Sequence, residues 1–171
     1  MVGLVNMFCL CYNNLSHLVW FTFSSQFHYD IGKLLYSAHN DDSLCHCACQ
    51  LNHGLEIIMK DKAVWRIEVA ELNMKVGKRA LDRFIYTTAL TFFENALALL
   101  PDGHWETHYN LSLQLYLLMA SASHSAGKTS EAYSALQQIS DNARCIEDKL
   151  DSYFLHITSE YLARSGALCE P

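Results

Sequence analysis

The chain has 171 residues, enough for one domain or a short array of repeats and too few for a large multidomain enzyme. Twelve Lys and Arg against eighteen Asp and Glu leave a formal net charge of −6, which argues against a general nucleic-acid binder with its clustered positive charge. With 51 % apolar residues and two prolines, disordered and collagen-like architectures are not expected.

Residues 1–25 carry no Asp, Glu, Lys or Arg, and sixteen of them are apolar. Their longest unbroken apolar run is Met7 to Tyr12, too short for a membrane span of about twenty residues. The first Lys or Arg is Lys33, so the basic start of a secretory leader is lacking. Residues 1–26 are expected to form an apolar N-terminal segment of their own, either the truncated edge of a neighbouring domain or the product of a misassigned start, with a helical-repeat region over residues 27–171.

From residue 27 onward apolar positions recur at three- and four-residue steps, as between Ile31 and Leu35 and between Leu44 and Leu51. Ala63 to Gly77 places Val64, Ile67, Ala70 and Val76 mostly on one side, with Lys and Glu opposite. Ala80 to Leu100 is rich in Ala, Leu and Phe and stops at Pro101-Asp102-Gly103, a strong terminator. Further helices are expected over Trp105–Ser125 and Ser130–Ile139, split by Gly127, and over Ile146–Arg164, ending at Gly166. No stretch alternates with period two long enough for a sheet. The predicted fold class is all-α, with antiparallel helix hairpins stacked as a short solenoid.

The intervals Gly77, Ala89, Phe93, Ala96 and Pro101 follow the tetratricopeptide (TPR) pattern. Small residues let two helices cross closely, Phe93 fills the groove between them, and Pro101 stops the second helix. Asn73 stands at the usual Trp position and Ala80 where an aromatic is expected. A second, weaker unit has Ala120, Gly127 and Ala132, with Leu136 replacing the aromatic; a third begins near Ser152.

Several candidate chemistries are weaker than their structural alternatives. Ala122 to Thr129 contains Gly127-Lys128-Thr129 and satisfies a relaxed phosphate-loop pattern, but the first Gly and a preceding strand are missing. His39, Cys45, His46, Cys47, Cys49 and His53 form the densest set of soft ligands. Cys45 and Cys49 share a helix face, as do Cys49 and His53, whereas Cys47 points elsewhere. A second paired element for tetrahedral zinc is absent, so packing of buried thiols is expected. Seven cysteines without regular spacing make a poor disulfide framework and suit a cytoplasmic protein. His104 and His108 lie one turn apart without a third ligand. Asp141, Glu147, Asp148 and Asp151 read as a solvated helix start. No catalytic residue, metal or cofactor is expected.

Four stretches resemble a known family. They are His28-Tyr29-Asp30-Ile31-Gly32-Lys33-Leu34-Leu35, Gln50-Leu51-Asn52-His53-Gly54, Ala70 through Ala80, and Trp105-Glu106 followed by Tyr109 to Leu113. Their order and spacing resemble the helical region of large multi-sensor signalling proteins. In that family a serine/threonine-kinase-like domain and an AAA-type ATPase domain precede this region, and sensor and histidine-kinase modules often follow. The resemblance covers roughly residues 27–160 and fails over residues 1–25. It implies a non-catalytic TPR-like spacer or docking module associated with a signal-transduction ATPase or kinase. The alternative is a remnant of such an enzyme whose catalytic domains are missing from this chain. Kinase, ATPase and phospho-acceptor motifs are absent from these residues.

Protein partners or flanking domains are expected, not nucleic acid or a membrane span, together with self-association through uncapped ends. The basic set Lys60, Lys62, Arg66, Lys75, Lys78, Arg79 and Arg83 offers a positive surface in an acidic protein. Asn73, Lys75, Arg79, Asn110 and Gln114 are the candidate partner-binding residues, placed by the repeat pattern at or near the inner face of the first helices.

Overall fold

The computed structural model describes residues 24–38, 43–150, 152–154 and 157. Among them every regular element is a helix. The proposed apolar segment 1–26 lies almost wholly outside the described residues, as do His39 and most of the expected third unit. The chain divides into two compact units, one ending at Arg66 and the other starting at Ile67.

The first unit contains α1 (residues 24–37), α2 (Leu44–His53) and α3 (Leu55–Ile58). The α1 and α2 helices run antiparallel: His28 Nδ1 lies 2.6 Å from Gln50 Oε1, and the Cys47 thiol donates to the Gly32 carbonyl at 3.4 Å. Ala48, Leu51 and Ile58 are wholly buried there, Leu51 and Ile58 each contributing about 1.5–3 kcal/mol of burial. Beside this core, Tyr29 donates its hydroxyl proton to Asp61, and Lys33 Nζ donates to the Tyr29 oxygen at 3.1 Å. The Lys33 ammonium also sits 5.0 Å from the Tyr29 ring centre and 5.5 Å from that of Trp65, within cation–π range.

Helix α4 (Ala63–Asp82) begins in the first unit and continues into the second, followed by α5 (Tyr86–Leu99), α6 (His104–Thr107), α7 (Tyr109–Ser125) and α8 (Thr129–Asn142). The buried faces show why these segments are helical. Val69, Leu72, Asn73 and Val76 in α4, Ala89, Phe92, Phe93 and Ala96 in α5, and Ala132, Ala135, Leu136 and Ile139 in α8 repeat one spacing. That spacing, i, i+3, i+4, i+7, places each set on a single stripe. Helix α7 packs against both α5 and α8. Trp105, Ala120, Ala135, Leu136 and Ile139 form one core cluster, and the Trp105 ring stacks on Tyr116 at 5.3 Å.

The expected break between Gly77 and Ala80 does not occur: α4 runs on to Asp82 and turns at residues 83–85. Phe84 takes a left-handed conformation, φ 62°. Its N–H donates to Leu81 O and that of Ile85 to Ala80 O, which is the pair of bonds of a Schellman cap. The α7–α8 turn repeats this geometry at Gly127, φ 75°, with Gly127 N–H to His124 O and Lys128 N–H to Ser123 O. The offset from Phe84 to Gly127 also carries Gly77 onto Ala120, Ala89 onto Ala132 and Phe93 onto Leu136. It carries Leu100 (φ −67°, ψ 143°) onto Ala143 (φ −67°, ψ 133°), the extended residues that end α5 and α8. The two hairpins are thus local copies of one backbone design. The segment expected as one helix from Trp105 to Ser125 is broken at His108 (φ −130°, ψ 47°).

Candidate functional site

A cavity of about 750 Å³ lies between α4 and α7, wholly within the second unit. Helix α4 supplies Glu71, Met74, Lys75 and Lys78, whereas α7 supplies Asn110, Leu111, Gln114, Leu117 and Leu118. On α4 these positions form a second i, i+3, i+4, i+7 stripe, displaced by two residues from the buried one. One helix therefore serves two surfaces, with core on one and cavity on the other. Met74, Leu111, Leu117 and Leu118 make the floor apolar, while Glu71, Lys75, Lys78, Asn110 and Gln114 are solvent-exposed at its rim. Two ammonium groups against one carboxylate give the rim a positive balance inside a chain of net charge −6. The size falls in the range of ligand-binding clefts, roughly 300–1,000 Å³.

Of the residues singled out from the sequence, Lys75, Asn110 and Gln114 come together at this cavity. Asn73 and Arg79 are not among its lining. Asn73 is wholly buried in the core stripe, its Nδ2 donating to the Val69 carbonyl at 2.9 Å. Arg79 is half-buried, one position past Lys78 on the helix. Glu71, Met74, Lys78, Leu111, Leu117 and Leu118 complete the lining. Lys78 belonged to the basic set noted in the sequence. The leucines were not legible as cavity wall, because α7 is apolar on most of its circumference.

The other chemical candidates have structural occupations. His104 Nδ1 lies 2.8 Å from Ser112 Oγ, and that hydroxyl donates to the His108 and His104 carbonyls at 3.0 and 3.2 Å. A fully buried hydroxyl whose proton is already given to backbone is not poised for nucleophilic attack. Burial holds the His104 pKa below its usual 6.5, favouring the neutral ring. The stretch from Ala122 to Thr129 is the end of α7, the Gly127 turn and the start of α8, so the strand that a phosphate loop requires is not before it. Arg144 donates through Nη2 to the Trp105 and Glu106 carbonyls at 3.2 Å and stacks its guanidinium 4.2 Å from the Tyr109 ring centre. Tyr109 in turn donates to Asp148 at 2.5 Å. Arg144, with Asp148 of the acidic run, thus ties the exit of α8 back to α6 and α7; Asp151 of that run lies outside the described residues.

The expectation of buried thiols holds for Cys47 alone in the cluster near residue 45; Cys45 and Cys49 are exposed. The i, i+2 offset puts Cys47 on the core face of α2 and its neighbours on the outer one. Among the described residues there is no group of three or more side chains arranged to hold a metal ion, and no helix long and apolar enough to cross a membrane. Comparison with protein-family models, with curated proteins and with solved structures finds no match for this chain. The described residues form an all-α architecture with a twice-used hairpin geometry and a mixed apolar and basic cavity between the first helices of those hairpins.

Proposed function

We propose that the chain is a non-catalytic TPR-like docking module whose α4–α7 cavity holds an extended peptide segment carrying both carboxylates and apolar side chains. The observation that carries this reading is the pairing of an apolar floor with Lys75 and Lys78 at the rim. The floor takes the apolar side chains, the lysines take the carboxylates, and Asn110 and Gln114 offer hydrogen bonds to the peptide backbone. The repeated turn, exit and small-residue positions of the two hairpins support a solenoid built of stacked pairs. The period is longer than the roughly 34 residues of the TPR pattern, because α6 is inserted between the hairpins. Membership of a cytoplasmic signal-transduction ATPase or kinase assembly, as spacer or docking array, rests on the four resembling stretches.

The test is fluorescence anisotropy with a labelled peptide library alternating Asp or Glu with Leu, read against a Lys and Leu library. The acidic library binds, and affinity falls at least tenfold for the Lys75→Glu/Lys78→Glu double variant and on raising the salt. Arg79→Glu changes affinity less than twofold. Equal binding of both libraries, or no loss in the double variant, overturns the proposal.

A further inference from the structure

Helix α2 carries an exposed pair of thiols one turn apart. Cys45 and Cys49 both face solvent, while Cys47 between them is buried and donates to the Gly32 carbonyl. Burial pushes the Cys47 thiol up to about 11, leaving it protonated and inert. Four residues apart on α2, Cys45 and Cys49 share one helix face, and both are exposed on it.

A direct bond between them is poorly matched to the helix. Cβ atoms four residues apart on a helix lie about 5–6 Å from each other, whereas a disulfide brings them to about 3.5–4.5 Å. An atom inserted between the sulfurs removes this conflict without unwinding the turn. Two thiolates with no third donor suit a soft, low-coordinate ion rather than tetrahedral zinc, in keeping with the absence of any three-ligand group among the described residues. Position favours the product as well. Cys45 stands in the first turn of α2, which carries no acidic residue, so negative charge on its sulfur meets the positive end of the helix dipole.

We propose that Cys45 and Cys49 form a two-coordinate site for a thiophilic monovalent cation of the Cu(I) type. Binding breaks two S–H bonds and forms two sulfur–metal bonds. Two protons pass to solvent, and the bis-thiolate complex is left with a charge of −1, with no change of oxidation state. Cys47 takes no part, since its sulfur is committed to the opposite face.

The experiment is an anaerobic titration of the full chain against the coloured Cu(I)–bicinchoninate complex. Wild type withdraws one equivalent more than the Cys45→Ser/Cys49→Ser variant, each single variant weakens that equivalent at least tenfold, and Cys145→Ser, another exposed thiol, behaves as wild type. X-ray absorption by the difference equivalent shows two sulfur neighbours. Helicity by circular dichroism is the same with and without the ion. Equal stoichiometry in wild type and the double variant, loss of the equivalent in Cys145→Ser, or three or more sulfur neighbours overturns the proposal.

Discussion

A β-carbon placed on Gly77 would stand 2.5 Å from Cε1 of Phe93, and Phe93 itself has no exposed surface. The crossing of α4 and α5 is set by this contact: the ring occupies the volume where any other residue at 77 would begin its side chain. Gly77→Ala is therefore an overpacking change, expected to lower stability by about 1–3 kcal/mol. Phe93→Leu in the same chain should recover part of the loss, because the smaller side chain vacates the contested space. Urea denaturation of the two single variants and the double variant measures the coupling. Strict additivity would show that the crossing does not depend on this pair.

The two hairpin turns set up a natural comparison. Phe84 and Gly127 hold the same left-handed position in the same cap, yet only glycine adopts it without cost. The Phe84 side chain is 75 % exposed, so its removal sacrifices little packing. Phe84→Gly is expected to stabilise by about 1 kcal/mol. Gly127→Ala should destabilise by a similar ~1 kcal/mol for backbone reasons alone, since an added Cβ there meets nothing within 4 Å. Thermal melts with opposite signs at the two positions are the expected result.

His104 gives the second unit a pH dependence with a definite direction. Its folded-state pKa is held below 6.5, first by burial, so the folded chain takes up a proton less readily than the unfolded one. The stability that comes from burying the ring in its neutral form is fully present above pH 6.5 and is lost as pH falls through the lower folded value. Urea midpoints measured from pH 7.5 down to 5 should decline in wild type. They should decline less steeply in His104→Gln, which keeps a polar side chain without the titration. Parallel slopes would assign the effect to other histidines.

Much of the helix order follows from period alone. The stop at Pro101 is visible in the sequence, but the face expected for α4 is not the buried one: Val64 is exposed and Ile67 only half-buried, and the buried stripe runs through Val69, Leu72, Asn73 and Val76. The α4–α5 turn is not legible, because a left-handed Phe84 breaks the rule that glycine marks such caps; the equivalent Gly127 turn is legible for that reason. Three of the five partner-binding candidates, Lys75, Asn110 and Gln114, line the cavity. The remaining lining depended on the rotation of α7, whose apolar residues cover most of its circumference and do not point to one face. The expectation of buried thiols fails at Cys45 and Cys49, because only Cys47 falls on the core face of α2 and the i, i+2 offset turns its neighbours to solvent.

Asn73 shows how a polar residue on an amphipathic helix can mislead when only the pattern is known. Its neighbours Leu72 and Val76 are core residues, and its amide donates back to the Val69 carbonyl one turn earlier, a local bond that pairs one of its N–H donors inside the core. An ionised carboxylate in this position would lose that donor and be buried among aliphatic side chains. Asn73→Asp is expected to cost about 2 kcal/mol or more in urea denaturation. The fraction that remains folded should bind the acidic peptide library within twofold of wild type, because the cavity wall is unchanged. Normal stability combined with lost peptide binding would instead place Asn73 at the contact surface.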